Sequence, residues 1–322
     1  MKTREAILTG PRTIEFRERE LEVSEDDVLI RVEACGICMW ETQHIYMPDI
    51  RRYPVNIGHE ASGIVECVGK GVIGFKKGEH VTGLFNGGFA TYTIADPKYL
   101  VKVPEDIPFE YALGEPLKCI VTVAEAISPK VGDYVLVIGC GMMGLMTISI
   151  LNSRSIFAIA VDIVQEKLIL AKEMGAVASV NAKEIDPLEA ILHLTNGRGV
   201  DIAVEASGTQ QGYDLALDSV KKGRGEVIIL SYPSDNYNLD IRKLCDKGLI
   251  VKAPHPAFSL NQMEDMQKAI ECLKRGAFKM DNVITHRYPL DDLQQAFEDA
   301  INKPPSYIKG VVNPHWQKEN KV

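Results

Sequence analysis

The spacing of apolar residues changes character about a third of the way along the chain. Up to roughly residue 112, apolar positions come in short runs rich in β-branched side chains and separated by glycine or proline turns. Ile7-Leu8 and Thr13–Phe16 read as a hairpin around Gly10-Pro11, Val28–Val32 as a further strand, and Asn56–Val65 as a turn entering a strand. Asn86-Gly87-Gly88 marks another turn. This part predicts an all-β, barrel-like unit. Beyond it, apolar runs at 134–138, 156–161, 179–180, 202–204, 227–230 and 250–251 alternate with helical segments such as Glu166–Met174, which Gly175 stops. Strand–helix alternation means βαβ units and a parallel sheet. After Pro254-His255-Pro256 two amphipathic helices follow. Met263, Met266, Ile270 and Leu273 share one face of the first; Leu293, Ala296, Phe297, Ala300 and Ile301 share one face of the second. Both stripes read as core. The fold class is α/β, a β-barrel unit together with a doubly wound parallel sheet.

The stretch from Tyr134 to Asp162 carries the first chemistry. Tyr134–Ile138 is an unbroken apolar run, as in a strand buried on both faces of a parallel sheet. Gly139-Cys140-Gly141-Met142-Met143-Gly144 follows, then an apolar helix, then a second apolar run that ends in Asp162. Strand, glycine turn, helix, strand and acid, in that order, make a dinucleotide fingerprint. Gly139 allows the tight turn, Gly141 lets the backbone approach a pyrophosphate at the helix N-terminus, and Gly144 lets helix pack on strand. Asp162 would accept hydrogen bonds from the adenosine ribose. Its charge would repel a 2′-phosphate and Ile163 beside it supplies no cation, so NAD is expected rather than NADP.

Composition narrows the partners. The 322 residues, room enough for two domains, hold 36 Lys+Arg against 44 Asp+Glu, a net charge of −8, with no long basic run. Nucleic acid and an anionic membrane are therefore not expected partners. No apolar stretch reaches the ~18 residues of a bilayer span, and the charged N-terminus lacks the apolar core of a signal peptide. Seven dispersed cysteines fit a reducing cytoplasm better than a disulfide framework.

A second constellation lies in the β part. Cys38 offers a thiolate, His59 an imidazole, and Glu60 and Glu115 carboxylates, all of which zinc accepts. Their spacing alone does not make a site. Cys35 and Cys38 form a CxxC, but no second CxxC completes a zinc knuckle, and Cys35 reads as a small buried thiol.

Longer motifs decide more. ACGICxxE at 34–41, GHEASGIV at 58–65, GGFATY at 87–92, GEPL at 114–117, GCGMMG at 139–144 and ITHRYPL at 284–290 stand in the order found in zinc-dependent medium-chain dehydrogenases. The chain resembles that family over essentially its whole length, above all its sorbitol (polyol) and threonine dehydrogenase branches. The resemblance implies a GroES-like catalytic domain at 1–118 and 255–322, interrupted by a Rossmann NAD-binding domain at 119–254, with the active site in the cleft between. It implies one catalytic zinc on Cys38 and His59, with Glu60 binding directly or exchanging with water and Glu115 at the metal or its water. It carries cofactor roles to Gly139, Gly141, Met142, Met143, Gly144, Asp162 and Lys167, and places Ser207 and Leu230 near the ribose and nicotinamide. Arg287 and Lys309 are candidates for phosphate contacts. A homodimer or homotetramer is implied as well.

Two departures from the family pattern matter. Val81-Thr82-Gly83 runs almost directly into Gly87-Gly88-Phe89-Ala90, so the lobe that holds a structural zinc in many members is missing. After Cys38 stand Met39-Trp40-Glu41. Glu41 can replace the usual Asp that supports a metal ligand, but Trp40 replaces the hydroxyl that relays the substrate proton. Thr42, His44 or a water held by Glu115 would have to take that role. The expected activity is hydride transfer between a secondary alcohol (a polyol, sugar derivative or hydroxy-amino acid) and NAD, with zinc as Lewis acid on the oxygen. The alternatives are a zinc-free quinone or alkene reductase on the same fold, which would lack these ligands, and a non-catalytic nucleotide-binding protein.

Overall fold

The β-branched runs of the first third pair into antiparallel ladders. The structure is a computed structural model that describes residues 1–49, 52–233 and 236–316. Its early strands are β1 (Lys2–Gly10), β2 (Thr13–Glu20), β3 (Val28–Gly36), β4 (Val55–Asn56), β5 (Ala61–Val68), β6 (His80–Gly83), β7 (Tyr92–Ala95) and β8 (Leu100–Lys102). A parallel set follows: β9 (Tyr134–Ile138), β10 (Phe157–Asp162), β11 (Ala178–Asn181), β12 (Ile202–Glu205), β13 (Glu226–Ile229) and β14 (Ile250–Lys252). The chain then adds β15 (Ile284–Pro289) and β16 (Lys309–Asn313).

Contacts divide the chain into two compact units. The first holds Met1–Lys118, Met266–Lys274 and the chain from Ile284 on; the second holds Cys119–Asp265 and Arg275–Val283. Residues 255–265 and 275–283 thus fall in the second unit, where the sequence reading had put them in the first. Side-chain bonds tie both segments to that unit. Asp265 accepts hydrogen bonds from Thr122 at 2.8 Å and Ser259 at 2.5 Å. Ser149 donates to the carbonyl of Ala277 at 2.7 Å, and Lys279 to that of Glu173 at 2.8 Å.

In the first unit β2-β1-β4 form one small sheet, and a larger one runs β15-β16-β3-β5-β6-β8, with β7 also on β3. The register that matters is at its middle. Val311 of β16 faces Gly36 of β3, and Cys35 of β3 faces Ala61 of β5. The residue just past one strand and those just before its neighbours are thereby brought to one place. The helix over Leu293–Asn302 packs into this unit's core, burying Leu293, Ala296, Phe297 and Ala300 as its sequence period requires.

The second unit is one parallel sheet in the order β11-β10-β9-β12-β13-β14. Chain direction across the sheet reverses between β9 and β12, the switch point at which such folds bind nucleotides. Val135, Leu136 and Val137 of β9 are fully buried, consistent with helices on both faces. Among the described residues no helix is long and apolar enough to cross a membrane.

One buried carboxylate ties this sheet together. Asp201, 3 % exposed, accepts from the Tyr134 N–H at 3.0 Å, from Arg198 at 2.9 and 2.8 Å and from Lys221 at 2.6 Å. Burial would raise its carboxyl, but the bonds from Lys221, Arg198 and the Tyr134 N–H outweigh it and hold it below the usual range. A carboxyl depressed in the folded state stabilises fully above its unfolded value of about 3.9, and the contribution is lost as pH falls through the folded value. Asp201→Asn should therefore cost about 1–3 kcal/mol at neutral pH. Urea unfolding at pH 7 and again below pH ~4 checks this, because the deficit should shrink at the acid end.

Candidate metal centre and nucleotide site

The meeting of β3, β5 and β16 assembles three unlike ligand atoms. Cys38 lies just past β3 with an extended backbone, in the capping position of a short helix, α1 (Met39–Glu41). His59 and Glu60 immediately precede β5. The Cys38 thiol, a His59 ring nitrogen and a Glu60 carboxylate oxygen all lie within 4.8 Å of one another. Zinc bonds of about 2.0–2.3 Å place tetrahedral donors roughly 3.3–3.8 Å apart, so small side-chain adjustments would complete a site. Sulfur, nitrogen and oxygen donors with one position left open match a catalytic zinc rather than a closed structural one.

Supporting groups surround the ligands. Glu41 is buried; its Oε1 accepts the Gly58 N–H at 2.8 Å and stands 3.5 Å from His59 Nδ1. A carboxylate behind a ligating imidazole fixes the ring's tautomer and orientation. Burial would lower the His59 imidazole, but the Cys38 sulfur and Glu41 outweigh it and push it up to about 12. Burial also raises the Cys38 thiol. Metal entry must therefore expel protons from both.

Glu60 has a partner that sequence reasoning missed. It is 2 % exposed and ion-paired with Lys309, itself 5 % exposed, whose ammonium also donates to the carbonyl of Ile37 at 2.8 Å. Burial would lower the Lys309 ammonium, but Glu60, with Cys38 and Glu115, raises it and keeps the charge. Lys309 is thus neither a phosphate contact nor a solvated surface charge. Its place at the start of β16, next to β3, was the signal, and it needed the sheet order to be read. Arg287 is likewise engaged, as a fork on Glu110 at 2.8 and 2.6 Å. Glu115, in the first turn of the helix Gly114–Ala126, stands outside the three-atom group, 3.3 Å from the buried ammonium of Lys118.

Trp40 lies against the ligand side of this cluster. It is 42 % exposed; its ring meets His59 edge-on at 6.2 Å and His44 at 5.7 Å. An indole N–H only donates, so Trp40 cannot relay a proton. The buried Thr42 hydroxyl donates to the carbonyl of Met39 at 2.8 Å and is committed there.

In the second unit the glycine turn joins β9 to the helix Met142–Ser153, with Gly141 as N-cap. Gly139 has φ +95°, a left-handed conformation. A side chain there would also sit 2.8 Å from the Ser207 backbone. Gly144 packs so closely that a Cβ would strike the Gly139 carbonyl. Met142 is buried and Met143 half-buried in the helix's first turn. Asp162, at the end of β10, accepts the Cys140 N–H at 2.6 Å and those of Ile163 and Val164 at 2.7 and 2.9 Å. Its carboxylate therefore holds the turn while retaining lone pairs for a ligand. Lys167 is half-buried in the first turn of the helix Gln165–Glu173. The N–H of Leu230, just past β13, is bonded to the carbonyl of Glu205 at 2.9 Å.

Comparison with known proteins places this geometry. Residues 24–105 match the alcohol dehydrogenase GroES-like domain and residues 143–275 the zinc-binding dehydrogenase domain. An L-threonine 3-dehydrogenase of Bacillus velezensis is 31 % identical over 313 residues, covering 86 % of this chain and 88 % of its own. The chain belongs to the zinc-type alcohol dehydrogenase family. The sorbitol dehydrogenase of Bacillus subtilis, another relative, is 27 % identical over 96 % of this chain and 97 % of its own. A crystal structure of a putative zinc-binding dehydrogenase from Sinorhizobium meliloti 1021, bound to NADP, superposes with a TM-score of 0.87 at 25 % identity, covering 98 % of this chain and all of the other. In a chain of this family, loss of the carboxylate behind His59 should weaken metal binding at Cys38, His59 and Glu60. Glu41→Ala should lower zinc affinity about 10- to 100-fold, measured by competition with a chromogenic chelator.

Proposed function

We propose that this protein is a zinc-dependent, NAD-linked dehydrogenase of a secondary alcohol such as a polyol, a sugar derivative or a hydroxy-amino acid. The observation that carries the reading is the convergence of Cys38, His59 and Glu60 within 4.8 Å in a chain of this family. Relatives named for sorbitol and L-threonine support the substrate class. When bound, zinc supplies Lewis acidity toward the alcohol oxygen and the nicotinamide accepts the hydride. Cys38, His59 and Glu60 hold the metal, one per chain, and Glu41 orients the imidazole. Lys309 neutralises Glu60 and limits the negative charge that two anionic ligands concentrate in a buried place. With Trp40 and Thr42 removed from the proton path, His44 and Glu115 are the titratable groups left to carry it.

The choice of NAD over NADP rests on Asp162 and Ile163. The fingerprint expects the adenosine ribose at the Asp162 carboxylate, whose charge would oppose a 2′-phosphate, and Ile163, 54 % exposed, offers no compensating charge. Like-charge juxtaposition costs on the order of kcal/mol, so NAD+ should be preferred by about tenfold or more in kcat/KM. Steady-state kinetics with both cofactors measures the ratio directly.

The reading is tested by following NAD+ reduction on a panel of secondary alcohols, polyols and β-hydroxy-amino acids. Turnover that a chelator abolishes and zinc restores is the expected result. Chelator-insensitive reduction of quinones or activated alkenes would replace the reading with a zinc-free reductase. Tightly held zinc without turnover on any alcohol would point to a non-catalytic nucleotide-binding protein.

A further inference from the structure

One fully buried carboxylate in the second unit has no role in the account so far. Glu205, the last residue of β12, is 0 % exposed. Its Oε1 accepts the Ser207 N–H at 2.7 Å, the Ser207 hydroxyl at 2.5 Å and the Gly208 N–H at 3.1 Å. Its Oε2 accepts the Ser231 hydroxyl. Its backbone carbonyl accepts the N–H groups of Leu230 at 2.9 Å and Ser231 at 3.1 Å. Among the described residues, every donor to the carboxylate is a neutral N–H or O–H. A buried polar group is costly unless it is hydrogen-bonded, and these bonds satisfy both oxygens of this one.

The bonds join two segments that leave the sheet beside each other, 206–208 after β12 and 230–231 after β13. A third piece rests on the first of these. Gly139 can approach the Ser207 backbone only because it lacks a Cβ, and the Ala206 N–H bonds to the carbonyl of Ile138 at 2.8 Å. A dinucleotide at the switch point is divided by it. The adenosine half belongs to the β9–β10 side, where Asp162 stands, and the other half to the ends of β12 and β13.

We infer that Glu205 is a positioning residue for the nicotinamide half of the cofactor. It holds 207–208 and 230–231 at one spacing and against the glycine turn, so that the second half of the dinucleotide meets a preformed wall. This inference rests on the dinucleotide reading given under Proposed function. Its signature is selective: loss of Glu205 weakens a ligand that reaches across the switch point and spares one that occupies only the Asp162 side.

The test compares the affinities of NADH and AMP for the full-length protein and three variants. Glu205→Ala should lose roughly tenfold or more in NADH affinity while AMP changes by less than about twofold. Ser231→Ala, which removes only the bond to Oε2, should show a smaller loss with the same selectivity. Glu205→Gln should stay within about threefold of wild type, because an amide oxygen can take the Oε1 bonds and its N–H can donate to the Ser231 hydroxyl. Equal losses of NADH and AMP in both alanine variants would mean that Glu205 only stabilises the fold, and would overturn the assignment. So would unchanged NADH affinity in a folded Glu205→Ala. Wild-type protein that binds neither ligand would overturn the dinucleotide reading itself, and the assignment with it.

Discussion

A carboxylate and an ammonium buried side by side constrain the unit that holds the candidate metal centre. Glu60 and Lys309 have each left water almost completely and are ion-paired with each other. Desolvating two ions is expensive, and deleting one of a buried pair costs more than the pair contributes, because the survivor is left uncompensated. The pair therefore pins the starts of β5 and β16 across the end of β3. Cys38 and His59 lie at the same ends, so the arrangement that satisfies Glu60 also presents a thiol and an imidazole beside it. A metal arriving there joins an electrostatic group that is already balanced.

The second unit uses carboxylates differently. Asp162 and Glu205 both end strands of one parallel sheet, on opposite sides of its switch point, and both bind backbone N–H groups of the loops that follow. Asp162 is half-buried and keeps capacity for a ligand. Glu205 is fully buried, and its carboxylate is engaged by Ser207, Gly208 and Ser231. The difference follows from position: the end of β10 opens onto the glycine turn, whereas Glu205 lies beneath two loops that close over it.

Much of this was legible in the chain because it depends on local pattern. The apolar run Tyr134–Ile138, the glycine spacing after it and Asp162 specify a strand, a turn and a second strand with no reference to the rest of the molecule. The hairpin at Gly10-Pro11 and the apolar stripes of the last two long helices were readable for the same reason. What could not be read depends on which strands are neighbours. Lys309 lies far along the chain from Glu60, and only the order β16-β3-β5 makes them partners. Glu205 looks like an ordinary strand residue until the loops after β12 and β13 are placed beside each other. The division of residues 255–283 between units rests on tertiary contacts, among them the bond from Ser149 to Ala277, that leave no periodic trace.

The central claim is that Cys38, His59 and Glu60 hold a metal. It is tested most directly by elemental analysis of protein purified without added metal, beside a Cys38→Ala variant shown by circular dichroism to be folded. About one zinc per chain in the wild type, lost in the variant, is the expected result. Wild-type protein free of zinc, or a variant that retains it, would contradict the claim.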